Sequence, residues 1–119
     1  MDKDNISDFE LELENLINST TQLTFPFLSG DKKKREILLE EKIHIDSEID
    51  CISEKYQIEA DKIKSEREKI WDNAMSTAEN KFCTLSPSLR MNSFFLQEFM
   101  HEYAKNQVKW IKQTAYEKQ

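Results

Sequence analysis

Residues 31–86 read DKKKREILLEEKIHIDSEIDCISEKYQIEADKIKSEREKIWDNAMSTAENKFCTLS and contain neither glycine nor proline. The only glycine of the chain, Gly30, and its two prolines, Pro26 and Pro87, stand outside this stretch. Within it apolar side chains recur every three or four positions, at Leu38, Ile45, Ile49, Ile52, Tyr56, Ile63, Ile70, Ala74, Ala78 and Phe82. That is the period of one helix face, and it predicts a single helix over 31–82 with Asp31 as its N-cap. At about 1.5 Å per residue such a helix is roughly 75 Å long, too long to bury its stripe within one small globule. Heptad-like order holds through Tyr56. Beyond it Glu59 and Glu66 fall on the seam, and the stripe drifts through Ile63, Arg67 and Ile70 towards the straight-helix period.

Upstream, Ser7 followed three residues later by Glu10 has the form of a capping box, and Phe9, Leu13, Leu16 and Ile17 make the apolar stripe of a short helix over 7–18. A helix of about 12 residues is marginal in water and has to dock on something. Residues 19–30, STTQLTFPFLSG, form the main irregular segment, an apolar strap over a helix groove or a peptide offered to a partner. Lys32, Lys33, Lys34 and Arg35 follow, four cations at the helix end where the dipole disfavours them. They are a solvated basic turn, or a candidate contact for an anionic surface or a nuclear-import factor.

Downstream, Ser86 and Pro87 mark a new N-cap and first turn, and predict a helix over 87–116. Its apolar surface (Leu89, Phe95, Leu96, Phe99, Met100, Tyr103, Trp110, Ile111) is broader than one neighbouring helix covers. The short connection at 83–86 folds it back antiparallel, with residue 101 opposite about residue 69. The expected fold is therefore all-α and a single domain. A long central helix forms a coiled-coil-like hairpin, with the first and last helices laid end to end along it. Such an assembly is two helices thick, so its exposed seams call for another chain. The candidate partner-binding residues are Leu38, Ile45, Ile49 and Ile52 on the long helix and Phe95, Phe99, Tyr103 and Trp110 on the last one.

Composition narrows the function classes. The chain has 119 residues, 34% of them charged, and a net charge of −6, which makes nucleic acid a poor main ligand. The charge is uneven: residues 31–35 carry +3 and residues 36–82 carry −6. Cys51 and Cys83 stand far apart in no metal spacing, as two reduced thiols of an intracellular protein do. There is no signal-peptide pattern and no apolar run long enough to span a membrane. The location expected is cytoplasm or nucleus.

One pattern has chemical content, a repeated ExxH: Glu41 with His44 and Glu98 with His101. Di-metal bundles use two such pairs. In the expected hairpin the two lie on the order of 40 Å apart, so no metal or other cofactor is expected. A single glycine rules out a glycine-rich phosphate loop, and no small-molecule substrate is expected. Residues 94–113, FFLQEFMHEYAKNQVKWIKQ, resemble in aromatic and Gln spacing the closing helix of sorting-nexin BAR domains. The chain is too short for a BAR protomer, and no family is assigned. The resulting expectation is a non-enzymatic helical subunit or adaptor, completing an assembly with a helical protein partner or with itself. The alternative is a small acidic helical chaperone or inhibitor that sequesters one partner.

Overall fold

The computed structural model describes residues 3–22, 30–81 and 93–117, and every regular element among them is an α-helix. The helices are α1 (Lys3–Thr21), α2 (Asp31–Lys55), α3 (Asp61–Lys81) and α4 (Ser93–Glu117). The single helix expected over 31–82 is two helices, and the molecule measures 48 × 21 × 20 Å rather than the length of a rod.

The break has a definite local cause. Tyr56 caps α2, and Gln57 takes the left-handed conformation with φ 55°. The Gln57 N–H then donates to the Glu54 carbonyl at 3.2 Å and the Ile58 N–H to the Ser53 carbonyl at 2.8 Å. These two bonds are those of a Schellman motif, which satisfies the last carbonyls of a helix. Its usual apolar closure is present too, since Ile58 and Ile52 are buried in the same cluster. Glycine normally holds the left-handed position because it has no Cβ. Here glutamine does, so the stop carries no composition signal.

With the chain turned at 56–60, the helices run alternately up and down. Glu10 meets Tyr116 and Thr21 meets Gln97, so α1 is antiparallel to α4. Lys81 meets Glu98 and Arg67 meets Gln107, so α3 is also antiparallel to α4. α2 lies alongside with Asp46 against Tyr103 and Gln107. α4 thus packs against all three other helices, which is why its apolar surface is so broad. The central helix is the last one, not the long middle segment.

Two clusters make the core. One joins Ile45, Ile70, Ala74 and Ala78 to Phe95, Phe99, Met100 and Tyr103, with the Trp71 ring tilted against Phe99 at 4.4 Å and edge-on to Tyr103 at 5.0 Å. The other joins Phe9, Leu13 and Leu16 of α1 to Ile49, Ile52, Ile63, Val108 and Ile111. Trp110 packs against both. Small residues at Ala74, Ala78 and Ala104 leave room for the rings at this crossing, as close-packed interiors require.

Other boundaries also differ from expectation. α1 starts at Lys3, which places Ser7 inside the helix instead of at a capping box, and it runs on through Ser19 to Thr21. Gly30, with extended φ −67° and ψ 165°, occupies the N-cap of α2 in place of Asp31. The rest of the apolar strap (23–29) and the Ser86–Pro87 start lie outside the described residues.

Candidate contact surface

Most residues expected to meet a partner are inside the chain's own core. Ile45, Ile49, Ile52, Phe95, Phe99 and Tyr103 are all buried among the four helices, while Leu38 and Trp110 are half-buried against the core. The two-helix-thick assembly had left them on open seams. Folding α2 back onto α4 closes those seams.

The densest polar arrangement is also internal. Asp46 of α2 lies where α3 and α4 converge, and its Oδ1 accepts from the Tyr103 hydroxyl at 2.7 Å and from Gln107 Nε2 at 2.9 Å. Arg67 of α3 donates from Nε to Gln107 Oε1 at 3.0 Å and from Nη2 to Asp50 Oδ1 at 2.7 Å. Lys42 pairs with Asp46 Oδ2 at 3.0 Å and stands over the Trp71 and Tyr103 rings at 5.6 and 5.5 Å. Burial, and then the Asp46 carboxylate, hold the Tyr103 phenol far above its usual range. A satisfied network of this kind fixes which helix faces meet, because any other register would leave charges buried without partners.

The histidines do not converge on a shared ion. Thr20 donates its hydroxyl hydrogen to the Ile17 carbonyl at 2.6 Å, so the 2.8 Å contact with His101 Nδ1 needs that nitrogen to carry the proton. His101 thus ties α4 to α1, and Glu98 is taken by Lys81. His44 is exposed and lines an open groove of about 340 Å³ between α1 and α2, with Glu12, Asn15, Leu16, Ser19, Glu48 and Ile52. The separation argued from a continuous helix does not apply, since α2 lies beside α4. Even so, no group of three or more His, Cys, Asp or Glu among the described residues is arranged to hold a metal ion. No described helix is long and apolar enough to cross a membrane.

What remains open is the outer face of α2. Leu39 is 55% exposed and Ile43 65% exposed, one turn apart, on the side away from Ile45, Ile49 and Ile52. Lys32, Lys33 and Arg35 stand exposed at the start of the same helix, with Lys34 half-buried. Cys51 is exposed further along it. Leu39 and Ile43 are not part of the stripe through Leu38, Ile45, Ile49 and Ile52, and apolar spacing that follows that one seam does not single them out. Other exposed apolar residues are scattered: Leu11 on α1, Met75 on α3, and Phe94 and Tyr116 on α4.

Comparisons with protein-family models, with curated proteins and with solved structures find no match to this chain.

Proposed function

We propose that the protein is a non-enzymatic helical subunit or adaptor that works by contact, with the outer face of α2 as its contact surface. The observation that carries this is the pair Leu39 and Ile43, two large aliphatic side chains held in water one helical turn apart on a helix whose other face, Ile45, Ile49 and Ile52, is buried. Isolated exposed apolar residues are ordinary. A pair at i and i+4 on a straight helix, rimmed by charge, is the arrangement by which a helix docks on another helix. The contact is helix against helix, in the coiled-coil manner, and the setting is intracellular, in cytoplasm or nucleus. Nucleic acid is not its main ligand, and the acidic surface supports that choice.

Affinity capture with the full chain, comparing wild type with Leu39→Glu/Ile43→Glu, tests the reading. A helical partner held by wild type and lost by the variant is the expected result; a partner retained by the variant places the contact elsewhere. A second reading, a small acidic chaperone or inhibitor, is favoured by the closed core, which suits a protein that is folded before it meets its client. It predicts a client that leaves in a folded state, whereas a subunit stays with its assembly.

A further inference from the structure

Helix α2 carries a charge arrangement that one copy of the chain compensates only in part. Lys32, Lys33 and Arg35 are exposed in the first turn, where the helix dipole opposes them. Among the described residues no acid pairs with any of the three. The remainder of the helix, residues 36–55, has seven acids against Lys42 and Lys55; Arg67 of α3 pairs with Asp46 and Asp50, while Glu36, Glu40, Glu48 and Glu54 stand exposed. Leu39 and Ile43 lie between the basic turn and the acidic half.

We propose that a second copy of this chain occupies the outer face, α2 against α2, antiparallel about a two-fold axis near residue 41. The proposal rests on the contact reading given above and names its occupant. Turning one copy over sets each basic turn opposite the acidic half of the other, whereas a parallel pair would set like charge on like. Charges interact over about 10 Å at ordinary ionic strength, so this local match outweighs the net charge of −6 carried by each whole molecule. Antiparallel packing also places the two helix dipoles head to tail. A two-fold midway between Leu39 and Ile43 brings Leu39 of one copy against Ile43 of the other, twice over, which is the self-complementary form of a closed dimer. A single apolar pair on the face then suffices for two copies.

The test uses the full chain with a nitroxide on the native Cys51 and with Cys83→Ser, read by light scattering and by pulsed dipolar spectroscopy. Cys51 lies about ten residues beyond the axis, so antiparallel pairing separates the two labels by roughly 30 Å, against about 10–15 Å for a parallel pair. The expected result is a dimer mass with the longer distance. Leu39→Glu/Ile43→Glu should give a monomer with its helical circular dichroism intact, and Lys32→Glu/Lys33→Glu should weaken the dimer at least tenfold. A chain that stays monomeric up to millimolar concentration overturns the second copy; the capture experiment would still read the face itself. A dimer that survives Leu39→Glu/Ile43→Glu, or one with the shorter label distance, overturns the proposed pairing.

Discussion

Arg67 reaches across the turn at 56–60 to Asp46, its Nη2 donating to the Asp46 backbone carbonyl at 3.1 Å and its Nε lying 3.4 Å from Oδ1. The two side chains are only 14% and 17% exposed, and the Asp46 carboxylate also serves Tyr103, Gln107 and Lys42. One carboxylate therefore sets the positions of α2, α3 and α4. Replacing Asp46 by Ala leaves the Tyr103 hydroxyl and the Gln107 amide without their acceptor, while Arg67 keeps Asp50, Gln107 and the backbone carbonyl of residue 46. Leaving buried polar groups unsatisfied in this way typically costs about 1–3 kcal/mol. Urea unfolding should show a drop of this size, and a change below about 1 kcal/mol would mean an ordinary surface pair.

Ile43 and Ile45 stand two residues apart on opposite faces of α2, one exposed and one buried. Ile45→Ala should destabilise the fold by about 2–5 kcal/mol through the cavity it leaves. Ile43→Ala should fall within about 0.5 kcal/mol of wild type when measured on the monomer. Equal effects would contradict the placement of the two faces.

Stability should fall on both sides of neutrality. Burial pushes the Glu102 carboxyl up, but Lys105 and Lys81 pull it down by more, and Lys55 holds Glu12 below its ordinary value. A carboxylate lowered in the fold stabilises it above the unfolded value, here 4.5, and that contribution is lost as pH falls through the folded value. On the alkaline side, burial, and then Glu10, raise Tyr116 from 10 to about 12, so its contribution is complete below 10 and lost as pH climbs towards about 12. Thermal unfolding followed against pH should show both slopes, with the acid one shallower in Glu102→Gln.

At Gln57 a side chain with a Cβ is held at φ 55°. Gln57→Gly should stabilise the protein by about 1 kcal/mol, because glycine takes the left-handed region without the steric cost. Gln57→Val should destabilise it by a comparable amount or more. Loss of stability in the glycine variant would show that the turn is held in some other way.

The helical class was legible because apolar spacing survives any later folding of the chain. Phe9, Leu13 and Leu16, and Ile45, Ile49 and Ile52, are buried where the spacing put them. The breadth of the last helix's apolar face was equally legible, and it announced more than one neighbour. The turn at 56–60 was not. Ile52 and Ile58 give the apolar spacing that accompanies a Schellman stop, but a glutamine stands where a glycine would have flagged it. With no visible stop the stripe ran on as one helix, and its buried residues became interface candidates. Arg67 on that stripe was the trace of the internal network: a cation at a core position needs a buried acid, and only a folded-back α2 supplies Asp46.

The fold depends most on the chain turning back at 56–60, so that α2 and α3 both lie against α4, because that decides whether Phe99 and Tyr103 are core or contact surface. Lys42 of α2 stands over the Trp71 ring of α3 at 5.6 Å, so Ile43 and Asp72 sit on neighbouring helices. Spin labels at Ile43→Cys and Asp72→Cys, with Cys51 and Cys83 both replaced by Ser and the labelled chain diluted into an excess of unlabelled chain, read this distance within one copy. Two neighbouring helices of one bundle with outward labels give about 15–25 Å, whereas a continuous helix from 31 to 82 would hold the labels about 44 Å apart. The folded-back chain gives the shorter distance, and the longer one would contradict it.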